Sequence, residues 1–166
     1  MSDERLTPEG ERIFRELDKL NELIVKVGFQ HGQTTEENGA DICDVAAFQE
    51  LGTETIPSRP FMRDSVENNE DKIVAFMQSQ IADIISNGKT AEQAFKEIGI
   101  FQKNLVQETI EDGDFERNAD ITVDGGWMRN KKSGKPFYVE GKHSTHPLID
   151  TGTMKNSVNY VIEKKG

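Results

Sequence analysis

Residues 13–30, IFRELDKLNELIVKVGFQ, change their period midway, and that change decides the fold class. Through Ile24 the apolar residues Ile13, Leu17, Leu20 and Ile24, with Phe14 beside them, recur three or four apart and mark one face of a helix. From Val25 the pattern alternates: Val25, Val27 and Phe29 against Lys26, Gly28 and Gln30, the signature of a half-buried strand. Thr7-Pro8 opens the helix, with a hydroxyl at the cap and a proline at the first helical position.

Downstream, His31 to Ala40 (HGQTTEENGA) is polar, holds two glycines and reads as a mobile loop. Asp41 caps a short helix with Ile42, Val45, Ala46 and Phe48 inward, and Gly52 suits its exit. Residues 53–60 (TETIPSRP) are predicted extended, because Pro57 and Pro60 push their preceding residues out of the helical region. A long helix should start at Phe61, with Ile73, Met77, Ile81 and Ile84/Ile85 inward, and end at Asn87-Gly88. Thr90-Ala91-Glu92-Gln93 is a capping box for the next helix, whose apolar side runs through Ala94, Phe95, Ile98, Phe101, Leu105, Val106 and Ile110. Residues 114–146 read as a long exposed excursion with a strand at Pro136 to Val139. A last strand carries Val158, Tyr160 and Ile162 on one side. The prediction is α+β: one domain over residues 1–166, two to three helices packed on a small antiparallel sheet built from distant parts of the chain.

Charge and composition exclude several roles. The chain has 166 residues with 30 acidic and 20 basic side chains, a formal charge of −10, and a mean hydropathy of −0.65. Duplex-binding proteins gather Lys and Arg to neutralise phosphates, so this balance speaks against that role and against anionic membrane surfaces. Cys43 has no second cysteine to pair with, which suits a reducing compartment. The segment Met1-Ser2-Asp3-Glu4-Arg5 lacks the basic-then-apolar layout of a signal peptide, and no apolar run approaches the roughly 20 residues of a membrane span. Synthesis in the cytosol is expected.

The residues that bear chemistry weigh toward ordinary roles. His143, His146 and Asp150 can be drawn as a metal site, but they sit in one Pro- and Gly-flanked loop, where solvent-facing histidines are commoner than convergent ligands. Cys43 reads as a small half-buried side chain rather than a nucleophile. The pairs Asp41/Asp44 and Glu50/Glu54 read as solvated faces in so acidic a chain. No catalytic residue, cofactor or metal is therefore assigned. The basic run Arg129, Lys131, Lys132 and Lys135, flanked by Trp127 and Phe137, suits either a single-stranded nucleic acid or an acidic partner subunit.

Two segments carry a resemblance. The first is residues 46–53 (AAFQELGT) followed by 56–63 (IPSRPFMR); the second is 147–160 (PLIDTGTMKNSVNY). In this order they resemble the tail-completion proteins of long-tailed bacteriophages, a family of minor tail components. The matching positions are Glu50, Gly52, Thr53, Pro57, Arg59, Pro60, Phe61 and Arg63, then Leu148, Asp150, Thr151, Gly152 and Ser157. The chain departs from that family in residues 114–146, which are longer and more basic. The resemblance implies structural work without turnover: a ring-forming homo-oligomer in the virion that caps the tail tube at the head–tail junction. Its partners would be neighbouring neck and tail-terminator or tail-tube proteins, with DNA only as passing cargo and no membrane. It would be assembled in the host cytoplasm. The competing readings are a small metal-dependent nuclease and a nucleic-acid-binding module.

Overall fold

Thr7 and Pro8 start the first helix as their chemistry dictates. Helix α1 spans Pro8–Glu22, and the Thr7 hydroxyl accepts the Gly10 N–H at 3.1 Å. Strand β1 follows at Leu23–Gly28 without a loop. The remaining elements are α2 (Ile42–Leu51), α3 (Phe61–Glu67), α4 (Glu70–Ser86), α5 (Ala91–Asp112), α6 (Asp120–Asp124), β2 (Gly126–Arg129), β3 (Pro136–Val139), α7 (Thr153–Ser157) and β4 (Asn159–Lys164). This computed structural model describes residues 6–36, 39–149 and 152–166. The class is α+β, with two separate two-stranded antiparallel sheets, β1–β4 and β2–β3.

The elements are more numerous than hydrophobic periodicity marks. The single long helix expected from Phe61 is two helices, broken at Asn68-Asn69, where the Asn69 side chain donates to the Ser65 carbonyl at 3.1 Å. Asparagine favours such local bonds over a continuous helical ladder. Helices α6 and α7 are five residues each, too short to show a period.

The chain divides into two compact units, one of residues 1–28, 62–106 and 158–166, the other of residues 29–61 and 107–157. In the first, β1 and β4 pair over six residues, Leu23 opposite Lys164 through Gly28 opposite Asn159. Val25 faces Ile162 and Val27 faces Tyr160, so the predicted inner faces of both strands meet. Ile24, expected on the helical face, instead lies on the outer side of β1 opposite Glu163. Helix α5 comes so close to the sheet that a Cβ on Gly99 would stand 2.4 Å from the Tyr160 ring.

Helix α1 does not present the apolar face its sequence suggests. Phe14 is exposed, Ile13, Leu17 and Leu20 are half-buried, and the buried residue is Glu16, 7% exposed. Glu16 accepts the N–H of Ala91, the first residue of α5, at 2.9 Å and an ammonium proton of Lys19 at 2.9 Å. One turn earlier, Arg12 donates to the Ile84 carbonyl at the end of α4 at 3.0 Å. A cation thus meets the negative end of α4 and an anion the positive end of α5, as the helix dipoles favour. The backbone bond from Ala91, then the ion pair with Lys19, hold the Glu16 carboxyl below the usual carboxylate range. The predicted capping box of α5 is present, Thr90 and Gln93 exchanging bonds of 3.0 and 3.2 Å.

On α4 the expected inner face is largely the outer one. Gln80 and Ile84 are buried, while Val74, Met77, Ile81 and Ile85 are each 42–47% exposed. The helix is apolar on nearly every side between Ile73 and Ile85, so periodicity alone does not choose the face that packs. Phe76 stacks on Phe101 of α5, with ring centroids 4.2 Å apart. Among the described residues no helix is long and apolar enough to cross a membrane.

Candidate interaction surface

The second unit holds most of both motif segments, residues 46–61 of the first and 147–157 of the second. Asp41 caps α2 as predicted, one carboxylate oxygen accepting the Cys43 N–H at 2.8 Å and the other the Gly32 N–H at 2.6 Å. These two bonds, with His31 nearby, depress its pKa. Gly52 ends α2 at φ 76° and gives its N–H to the Phe48 carbonyl; a Cβ there would lie 2.8 Å from the Ser58 backbone nitrogen. The following segment is strapped to α2. Arg59 N–H donates to the Gln49 carbonyl at 2.7 Å and the Ser58 hydroxyl to the Glu50 carbonyl at 2.8 Å. The Thr53 hydroxyl accepts the N–H groups of Thr55 and Ile56, which closes the bend before Pro57.

Arg59 is the buried charge of this unit, 2% exposed. Its guanidinium donates to the Glu116 carbonyl (2.8 Å), the Gln49 side chain (2.5 Å) and the Asn118 side chain (3.1 Å). Burial lowers its pKa, against the opposing charge of Glu116. Arg59 therefore works as a tie between α2 and residues 116–118. Phe61 is fully buried and meets Phe29 edge-on at 6.0 Å, as the motif predicts for an aromatic feeding the core. Pro60 is half-buried and Arg63 is exposed on α3.

The second motif packs against the first. Helix α7 lies on α2, Leu148 and Met154 are buried, and Gly152 turns the chain at φ 77°. The Gly152 carbonyl accepts the Asn156 N–H, and the Ser157 hydroxyl donates to the Thr153 carbonyl. Asp150 and Thr151 lie outside the described residues. A cavity of about 450 Å³ takes walls from both motifs, Pro57 and Arg59 from one and Leu148 and Gly152 from the other.

His143 and His146 are both exposed, and His143 has φ 55° with its N–H bonded to the Val123 carbonyl. Among the described residues no three His, Cys, Asp or Glu side chains gather to hold a metal ion; Asp150, the third member of the drawn set, is not among them. Cys43 is half-buried, its sulfur 3.9 Å from the Phe29 carbonyl. Phe48, expected inward on α2, is 52% exposed, while Ile42 and Ala46 are buried.

The excursion at 114–146 is more ordered than its composition suggests. Residues 126–139 form a hairpin, Gly126 opposite Val139 through Arg129 opposite Pro136. Strand β3 was legible in the sequence; β2 was hidden by Gly125-Gly126, which reads as a turn. At the hairpin's base Gly125 and Gly141 touch backbone to backbone, and a Cβ on either would meet the other's chain at 2.6 Å. At its tip the Asn130 side chain accepts the N–H groups of Lys132 and Ser133, Asn130 N–H bonds the Lys135 carbonyl, and Gly134 sits at φ 66°. Local polar bonds here supply the order that apolar burial does not. Residues 31–36 are held likewise, by Asp41 on Gly32 and a bridge from Thr35 to Asp41; Glu37 and Asn38 lie outside the described residues.

Both faces of the hairpin are apolar and uncovered. Trp127, 73% exposed, meets Tyr138 edge-on at 5.6 Å on one face, and Met128 and Phe137 stand exposed on the other. Arg129, Lys131, Lys132 and Lys135 surround the tip, with no acidic residue between Gly125 and Val139. Compared with protein-family models, curated proteins and solved structures, the chain finds no match.

Proposed function

We propose that the chain is a structural subunit of a tailed bacteriophage, forming a homo-oligomeric ring that completes the tail tube at the head–tail junction. The observation that carries the proposal is the hairpin 126–139, which exposes aromatic side chains on both faces and four cations at its tip. A free two-stranded hairpin is marginal in water, and large exposed apolar side chains mark surfaces meant for partners. The resemblance in residues 46–63 and 147–160 supplies the phage context, and most of each motif, residues 46–61 and 147–157, lies in one packed unit. An acidic subunit also suits a bore through which DNA passes, since like charge keeps the genome from being gripped.

The test is the mass of the purified protein together with micrographs of particles lacking it. The expected results are a defined oligomer, and separate filled heads and tails in the mutant lysate. A strictly monomeric protein whose loss leaves joined, infectious particles refutes the proposal.

Trp127 beside four cations also favours a second reading, an arm for single-stranded nucleic acid. Retention on single-stranded DNA that falls steeply with salt and vanishes in Trp127→Ala would favour that reading.

A further inference from the structure

We infer that the hairpin of one copy docks on helix α4 of the next, with its Trp127–Tyr138 face laid along the uncharged outer face of that helix. Each surface lacks a cover of its own. On α4 the exposed residues from Val74 to Ile85 include Val74, Met77, Gln78, Ile81, Ala82 and Ile85, and none of the exposed ones is charged. In a chain with 30% charged residues, an uncharged helical face this long is the composition of an interface core, where charges are depleted and Met is enriched.

The two surfaces also match in length and charge. Four strand residues extend about 13 Å, and the α4 face from Val74 to Ile85 about 16 Å. On the docking face Trp127 and Tyr138 are followed by Arg129, which points the chain toward the basic tip. At the end of α3 stands exposed Glu67, and at the start of α4 exposed Glu70 and Asp71 against Lys72. Laying the hairpin with its tip toward that end puts Arg129, Lys131 and Lys132 over the acids while the rings cover the apolar stripe. Hairpin and helix face are different surfaces, so the contact is heterologous, the kind that closes into a ring when its rotation permits. Trp and Tyr are the side chains that most often anchor such contacts.

This inference rests on the ring reading only in taking the neighbour to be another copy. Two single-cysteine proteins in a Cys43→Ser background test it, one carrying Tyr138→Cys and the other Ile81→Cys, mixed and oxidised. The linked pair should form roughly tenfold or more faster than with Phe137→Cys, on the opposite hairpin face, because docking raises the effective thiol concentration. Equal rates overturn the assignment of the face. An internal disulfide in a dilute doubly substituted chain overturns the neighbour as occupant. Ile81→Glu, at an exposed position, should abolish the oligomer while leaving the melting midpoint of the subunit near the parent's. An oligomer that persists in Ile81→Glu and in Lys131→Glu/Lys132→Glu refutes this contact and leaves the ring standing. A parent that is monomeric at every concentration removes both. DNA retention lost in Trp127→Ala with oligomer mass unchanged also overturns the contact and assigns the hairpin to nucleic acid.

Discussion

Replacing Glu16 should unfasten α5 from α1. Ala91 is fully buried, and its N–H has the Glu16 carboxylate as its acceptor at 2.9 Å. Glu16→Ala leaves that donor without its acceptor. A hydrogen bond to a charged group contributes about 1.5–3 kcal/mol, and an anion at a helix N-terminus adds about 0.3–1 kcal/mol. The Lys19 pair adds little, since Lys19 reaches solvent. The expected loss is about 3 kcal/mol, which at a urea dependence of about 2 kcal/mol per molar moves the midpoint by about 1.5 M. Glu16→Gln keeps an acceptor oxygen but not the charge, and should lose about 1 kcal/mol. The pH dependence separates the two effects. Because the folded-state pKa is depressed, the charge's contribution is complete above the unfolded value of about 4.3 and disappears as pH falls through the lower folded value. The gap between parent and Glu16→Gln should therefore be flat from neutral pH to about 4.3 and close below it. Asp18→Ala, an exposed neighbour, is the control and should stay within about 0.5 kcal/mol. If Glu16→Ala unfolds with that control, α1 does not fasten α5 and the reasoning is wrong.

Gly52→Val should lose at least about 2 kcal/mol, from its positive φ and from a Cβ 2.8 Å from the Ser58 nitrogen, lowering the melting midpoint by roughly 4–8 °C. A midpoint equal to the parent's would show that residues 53–60 are not strapped to α2. Gly99→Ala should be destabilising although alanine is better in a helix by about 1 kcal/mol, because its Cβ overlaps the Tyr160 ring. In a Tyr160→Ala background the same change should turn stabilising, and an unchanged sign there, read from urea midpoints, would contradict the packing.

Signals that depend on neighbours along the chain were legible in the residues. Thr7-Pro8, Asp41 and the Thr90–Gln93 box all cap as their chemistry requires, because a cap needs only residues two or three positions away. The switch of period at Leu23 placed β1 directly after α1, and the alternation at 158–163 placed its partner strand. Gly52 and Phe61 also took the places their motif implies, one at a positive φ and one in the core. Other features depend on what lies opposite, which no local pattern encodes. Helix α4 is apolar nearly all round, so the packing of neighbouring elements, α1 among them, selected Gln80 and Ile84 for burial and left Met77, Ile81 and Ile85 outside. The buried Glu16 reads in sequence as a solvated acid; only the fold brings the Ala91 amide to it across the chain. Arg59 likewise needed Gln49, Glu116 and Asn118 to converge before burial of its charge was affordable. Strand β2 formed because β3 returned beside it, and Gly125 and Gly141 let the two backbones touch. The sequence by itself thus determined where elements begin, end and turn, since those choices are made by bonds within a few residues. The tertiary structure alone decided which faces are buried and which stay open for a partner, because burial is a property of two surfaces and a local pattern describes only one.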